Sequence, residues 1–256
     1  FTDLPDYQPA PDIAALRPVL TAAAERMQDN YPYQHPLYAG QMLKPPHPVA
    51  RLAYAMAQFV NPNNHAMDGG RASSMMEREA VAELAAMFGW KQHLGHLCGG
   101  GTMANMEALW VAARVHPGKK IVASDQAHYT HGRISEVLQV PFAPVPSDAS
   151  GRMDMSALKD MLSVGDIGTV VATMGTTGIG TTDSLEEIIN LANTYDCRVH
   201  VDAAYGGYFT LADNLNPNTR RSFDWLRRRA SRTVHPCRWT WNHSRRVLRP
   251  RRLVTL

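Results

Sequence analysis

Helical and extended patterns of apolar residues alternate along most of the chain. Apolar positions at intervals of three and four residues predict helices, and short Val- and Ile-rich runs bounded by polar residues predict buried strands. Helices are predicted at residues 13–28, 51–60, 74–89, 103–115, 155–162 and 185–195, and strands at residues 120–124, 168–173 and 197–202. This alternation predicts an α/β fold, in which a mostly parallel sheet is flanked by helices.

The third of these helical patterns carries a start signal of its own. Ser74 precedes Glu77 by three residues, which is the spacing of a capping box. We therefore expect this helix to begin at Ser74.

Composition divides the chain into three parts. Residues 1–60 form an N-terminal arm with helices, residues 61–219 form the main α/β domain, and residues 220–256 form an Arg-rich tail. The first 219 residues have a formal charge of −8, whereas the tail has twelve Arg, no Lys, one acidic residue and a formal charge of +11. Such an abrupt change is typical of a binding tail or of a sequence read in the wrong frame.

Composition also indicates the compartment. The chain has no run of about 18 apolar residues, so we expect no membrane-spanning helix. Its first residues lack an initiator Met and the features of a signal peptide, which suggests a fragment. The three cysteines have no metal-binding spacing, so we expect a cytoplasmic protein without a metal site.

A glycine-rich segment at residues 98–105 has the features of an anion-binding loop. Gly101 and Thr102 come directly before a predicted helix, whose first N–H groups and positive dipole end favour an anion. The segment is neither a Walker A loop nor a dinucleotide-binding fingerprint. A flexible turn explains it equally well when it is taken alone.

Two further polar positions follow predicted strands. His128 comes shortly after the strand at residues 120–124, where its flat ring could lie against a flat cofactor. Thr173 ends the next predicted strand and could donate a hydroxyl group at the same edge of the sheet. Taken alone, each has an ordinary structural explanation, a satisfied histidine and a polar turn.

Asp202 is the most specific of these positions. It ends a predicted buried strand and is followed by Ala203 and Ala204, which leave room for a ring. A buried carboxylate costs several kcal/mol unless a cation is paired with it. A protonated pyridine nitrogen is such a cation, and the pairing keeps the ring an electron sink.

In this order, the four segments resemble the group II pyridoxal-phosphate decarboxylases, which include glutamate, aromatic amino acid and tyrosine decarboxylases. The resemblance extends over roughly residues 30–219 and implies the large domain of fold type I, incomplete here, with residues 61–219 as its cofactor-binding part. It also implies a homodimer with active sites at the subunit interface. Residues 35–44 are similar to a substrate-proximal loop of the family.

The resemblance assigns roles to individual residues. The cofactor-binding residues that it implies are Gly101, Thr102, His128, Thr173, Asp202 and Ala204. The first two would hold the phosphate of pyridoxal 5'-phosphate, and Thr173 would contact the cofactor. His128 and Ala204 would lie against the two faces of the pyridine ring, and Asp202 would pair with its nitrogen. His128 and Asp202 are the implied catalytic residues.

The lysine that should complete this site is missing. In the family, a lysine holds the cofactor as a Schiff base, within a segment resembling Val-Asp-Pro-His-Lys-Trp some thirty residues after the aspartate. Residues 234–239 read Val-His-Pro-Cys-Arg-Trp, so that Arg238 stands at the expected place, and no Lys follows Lys159. Arginine cannot replace it, because the guanidinium stays protonated and forms no Schiff base.

The resemblance therefore implies decarboxylation of an L-amino acid to the amine and carbon dioxide, by a chain whose own activity is in doubt. One alternative is another fold type I activity, either an aminotransferase or a carbon–carbon lyase. Another is a non-catalytic remnant whose basic tail binds nucleic acid, which we do not favour. We favour a reading-frame error near residues 215–226 as the origin of the tail, although the Val-x-Pro-x-x-Trp pattern argues against a simple one.

Overall fold

The computed structural model describes residues 13–39, 45–91, 93–233 and 252–255, and the chain divides into two units, residues 1–63 and 64–256. The first unit contains α1 (Ile13–Met27) and α2 (Pro48–Val60), which confirms both predicted helices. Helix α2 begins three residues earlier than predicted. Proline is well suited to the first helical position, and the side chain of His47 accepts a hydrogen bond from the N–H of Val49 there.

The second unit is an α/β domain. Its elements are α3 (Arg71–Met87), α4 (Gly101–Val115), β1 (Lys120–Ser124), α5 (Thr130–Val137), β2 (Phe142–Val145), α6 (Met155–Ser163), β3 (Ile167–Thr173), α7 (Leu185–Thr194), β4 (Arg198–Asp202), a short 3₁₀ helix (Gly207–Leu211), α8 (Pro217–Thr233) and β5 (Arg252–Thr255). The predicted strands and the α/β fold are confirmed. No helix within the described residues is both long enough and apolar enough to cross a bilayer.

The sheet is parallel throughout, in the order β2-β1-β3-β4-β5. All seven residues of β3 are buried, which is typical of a central strand covered on both faces. Because the strands are parallel, their carboxyl ends meet at one edge of the sheet. The register places Thr173, the last residue of β3, opposite Asp202, the last residue of β4.

The main core lies between the sheet and helices α6, α7 and α8. Its fully buried side chains include Val122, Leu158, Val170 and Ile188. Helix α8 adds Phe223, which is 1% exposed, and Leu226, which is 3% exposed. The core of this domain therefore includes side chains that follow residue 220.

The capping-box prediction at Ser74 is wrong. Helix α3 begins at Arg71, with Gly70 before it and no side chain capping its first turn. The N–H of Ser74 donates to the carbonyl oxygen of Gly70 at 2.7 Å, so Ser74 lies within the helix. Glu77 instead accepts a hydrogen bond from the N–H of Leu97 at 2.7 Å, which ties α3 to the segment before α4.

Candidate functional site

Asp202 is the centre of a buried polar cluster at the carboxyl edge of the sheet. It is 5% exposed and accepts three hydrogen bonds. Its Oδ2 accepts from Nε2 of His131 at 2.9 Å and from Nδ2 of Asn105 at 3.1 Å. Its Oδ1 accepts from the N–H of Ala204 at 3.0 Å. Helices α4 and α5 and the end of β4 thus all contribute donors to one carboxylate.

A second histidine fixes the orientation of the amide in this cluster. Nε2 of His200 lies 2.8 Å from Oδ1 of Asn105. The oxygen of an amide only accepts, so His200 donates to it and the Asn105 NH₂ group faces Asp202. Both His200, on β4, and Asn105, on α4, are nearly inaccessible to solvent. His200 therefore acts on the carboxylate through Asn105, whose NH₂ group it turns toward Asp202.

The environment keeps Asp202 ionised. Burial raises its pKa, but the hydrogen bond from His131 and the electrostatic attraction of that ring outweigh burial, together with the hydrogen bond from the N–H of Ala204 and the attraction of His200. The resulting pKa is about 2, below the ordinary value of 3.8. A buried carboxylate that stays charged is the kind of group that pairs with a cationic ligand.

We expect acid to destabilise the protein partly through Asp202. Its pKa is lowered by folding, so the ionised group stabilises the fold above about pH 4, and this contribution is lost as the pH falls toward about 2. Urea unfolding between pH 2 and 5 should therefore show a shallower loss of stability for Asp202→Asn than for wild type. The slopes should differ by at most about 1.4 kcal/mol per pH unit, which corresponds to one proton.

Asp183 provides a control of opposite sign for this measurement. Burial raises its pKa, although the N–H groups of Met153 and Thr173 donate to it. Protonation of Asp183 therefore favours the fold, and its contribution to stability is lost as the pH rises through the folded pKa. Asp183→Asn should therefore make the free energy of unfolding fall more steeply as the pH is lowered. A slope unchanged by Asp202→Asn would contradict the assignment of the low pKa.

The first turn of α4 forms the glycine-rich part of the site. No side chain caps this helix at Gly100, whose φ of 113° lies in the region that favours glycine. The helix begins at Gly101, two residues before the predicted start, so residues 101–103 present the N–H groups that a helix leaves free. A Cβ atom on Gly101 would lie 2.8 Å from Cβ of Ala204. Only a glycine lets α4 approach Ala204 this closely.

Thr173 lies at the same edge of the sheet, and its backbone is bound by the side chain of Asp183. Its N–H donates to Oδ2 of Asp183 at 2.8 Å, and the N–H of Met153 donates to Oδ1 at 2.9 Å. The Thr173 hydroxyl is buried and has no hydrogen-bond partner within the described part of the chain. This unmet hydrogen-bonding group lies at the edge of the sheet where ligands of parallel sheets bind.

His128 has local contacts at the start of α5. Its Nδ1 lies 2.8 Å from Oγ1 of Thr130, and its ring centre lies 4.4 Å from that of Tyr129. The structure thus brings Gly101, Asp202 and Ala204 into mutual proximity, with Thr173 in register beside them, whereas the hydrogen bond of His128 is with its own helix start. Arg238 and residues 40–44 lie outside the described residues.

Sequence reasoning missed four polar residues of this site, namely Asn105, His131, Asp183 and His200. Asn105 lies one helical turn after Gly101, so its place on the same face of α4 was readable once the helix start was known. The other three carry no comparable signal, because buried histidines and strand-end carboxylates have many structural uses.

The pyridoxal-dependent decarboxylase conserved domain matches residues 110–244, more than half of the chain. A probable L-aspartate decarboxylase of Halobacterium salinarum is 33% identical over 169 residues, covering 65% of this chain and 47% of the relative. A probable L-tyrosine/L-aspartate decarboxylase of Methanosphaera stadtmanae is 29% identical over 191 residues, covering 73% of this chain and 48% of the relative. The chain spans about half the length of these curated relatives.

Solved structures have the same fold. Mouse CSAD in its apo form superposes with a TM-score of 0.74 at 22% identity, over 88% of this chain and 50% of that one. A TM-score of 0.73 at 23% identity is found for the glutamate decarboxylase domain of a Vibrio parahaemolyticus diaminobutyrate-pyruvate transaminase and L-2,4-diaminobutyrate decarboxylase. This superposition covers 86% of this chain and 53% of that one. These likenesses show the fold, and the family match over more than half of the chain shows the family, whose cofactor is pyridoxal 5'-phosphate: the chain belongs to the pyridoxal-dependent decarboxylase family.

Proposed function

We propose that the family function of this protein is the decarboxylation of an L-amino acid to the amine and carbon dioxide. The observation that carries the proposal is the buried, ionised Asp202 at the carboxyl edge of a parallel sheet, in a chain that belongs to this enzyme family. Ligands of open α/β sheets bind at this edge. A carboxylate held there is suited to a ring that carries a protonated nitrogen.

Three features of the site fit pyridoxal phosphate. The free N–H groups at the start of α4 suit a phosphate dianion. The buried Thr173 hydroxyl lacks a partner within the described residues, and a cofactor would supply one. Asp202 is ionised, and the charge of a pyridinium would complement it. The residues present therefore fit the cofactor of the family.

The proposed roles follow from these positions. Gly101 and Thr102 would bind the phosphate, and Asp202 would hold a proton on the ring nitrogen. When bound in this way, the cofactor supplies an electron sink for the electrons released as carbon dioxide leaves. His128, which is held by Thr130, would lie against one face of the ring. Ala204 would lie against the other.

Gly101→Ala should weaken binding of pyridoxal phosphate by at least about tenfold, because the new methyl group meets Ala204 and forces the first turn of α4 away from it. Isothermal titration with the cofactor measures the effect. Gly99→Ala is the matched control in the same loop, since its Cβ would make an ordinary contact at 3.8 Å from Met103. Equal affinities for the two variants would contradict the proposed phosphate site.

The substrate class remains a proposal based on the named relatives. L-aspartate and L-tyrosine are the first candidates, because the relatives with 33% and 29% identity carry these names. Formation of the amine together with carbon dioxide separates decarboxylation from aminotransfer, which yields a keto acid instead. We further propose a homodimer, as the family resemblance implies, and a cytoplasmic location, as the cysteine pattern suggests, with no membrane partner.

The tail bears on a second candidate, a non-catalytic remnant that binds nucleic acid through its twelve arginines. Such binding would weaken steeply with salt. We do not favour it, since Phe223 and Leu226 belong to the core and the family match continues to residue 244. Both observations support genuine sequence at least as far as Leu226. They favour a reading-frame error after Leu226 over one within residues 215–226.

A further inference from the structure

We propose that His131 is a positioning residue, which together with Asn105 fixes one oxygen of Asp202 so that the other is left to pair with a protonated ring nitrogen. The inference deepens the proposed function and rests on it, because the ring nitrogen belongs to pyridoxal phosphate. His131 is fully buried on α5, three residues after His128.

The two carboxylate oxygens of Asp202 are used unequally. Oδ2 accepts two hydrogen bonds, from His131 and Asn105, whereas Oδ1 accepts one, from the N–H of Ala204. A carboxylate oxygen has two lone pairs, so Oδ2 is saturated and Oδ1 retains one. Oδ1 also lies on the side of Ala204, the residue that approaches Gly101. The unused lone pair is therefore on Oδ1, the oxygen that binds the N–H of Ala204.

Hydrogen-bond directions fix which nitrogen of His131 carries a proton. Asp202 is ionised and can only accept, so Nε2 of His131 donates to it. Nδ1 of His131 has no partner within the described residues. Nε2 of His131 therefore carries the proton that holds Oδ2 of the carboxylate.

This arrangement explains why the carboxylate needs His131 at all. With Asn105 alone on Oδ2, the Asp202 side chain could rotate about its last bond and exchange its two oxygens. A second donor, Nε2 of the rigid His131 ring at 2.9 Å from Oδ2, prevents this exchange. Loss of His131 should thus weaken the binding only of ligands that have a pyridine nitrogen. Loss of a residue that merely supports the fold would weaken the binding of every ligand alike.

The test compares two ligands, pyridoxal phosphate and 1-deazapyridoxal phosphate, in which a C–H group replaces the ring nitrogen. The wild-type chain should bind pyridoxal phosphate about tenfold more tightly than the analogue, the worth of a charge-assisted hydrogen bond. His131→Leu should reduce this preference to about twofold or less while affinity for the analogue stays the same. His131→Gln, which keeps an N–H donor, should retain most of the preference.

Controls separate this inference from the proposed function. His116→Leu changes a half-buried histidine at the opposite end of α4 and should leave the preference intact. If circular dichroism shows that His131→Leu does not fold, the same binding comparison is made with His131→Asn, whose shorter side chain cannot reach Asp202. If wild type shows no preference, the proposed role of Asp202 fails and this inference with it. If Asp202→Asn abolishes the preference and the Leu and Asn variants keep it, the inference alone is wrong.

Discussion

Purified chain mixed with one equivalent of pyridoxal phosphate should acquire no covalently bound cofactor, whereas its Arg238→Lys variant should acquire up to one per chain. By the resemblance of residues 234–239 to the family's lysine segment, we expect Arg238 to stand at the place of the lysine, and it lies within the span of the family match. A guanidinium stays protonated at any working pH and cannot attack the aldehyde, whereas a lysine amine can. The effect is therefore all or none. Borohydride reduction followed by mass spectrometry of the intact chain measures it.

A second arginine in the tail provides the control. Arg246→Lys introduces the same chemistry at a position outside the family match, and it should not gain the cofactor. Stoichiometric attachment to any of the five natural lysines would overturn the prediction for the wild-type chain. If Arg238→Lys gains the cofactor, release of carbon dioxide with the amine from L-aspartate or L-tyrosine is the expected next result. Keto acid would indicate aminotransfer instead.

Much of the sheet was predictable because its central strands are buried on both faces. Residues 120–124 and 168–173 have the Val- and Ile-rich runs that such burial requires, and both became strands within a residue of the prediction. Strand β2 was missed, since Pro144 lies within it. Proline is tolerated there because β2 is at the edge of the sheet, a fact of topology that local sequence does not contain.

The candidate site was predictable only as far as strand ends and glycines allow. Asp202 was found because a carboxylate after a buried strand is costly without a partner. Its actual partners were not, since His131 and Asn105 lie 71 and 97 residues away in sequence. Their pairing arises from the packing of α4 and α5 at one edge of the sheet. Sequence separation of this size leaves no local trace.

Phe223→Ala should destabilise the protein by about 3–5 kcal/mol, a large part of the stability of an ordinary domain. The side chain is 1% exposed and belongs to the main core, and α8 is anchored there by two further contacts. Oγ of Ser222 donates to the carbonyl oxygen of Asp183 at 3.0 Å, and Nε1 of Trp90 donates to that of Leu226 at 3.3 Å. Removing the ring leaves a cavity that these hydrogen bonds keep from closing.

Urea unfolding followed by tryptophan fluorescence measures this loss, with Arg221→Ala as the matched control. Arg221 is exposed on the same helix, so its truncation should change the free energy of unfolding by less than about 0.5 kcal/mol. A Phe223→Ala variant as stable as wild type would mean that α8 does not pack on the domain. In that case the Arg-rich part of the chain would begin outside the fold. A large loss instead extends the folded domain to Leu226, beyond the point at which the charge of the sequence changes sign.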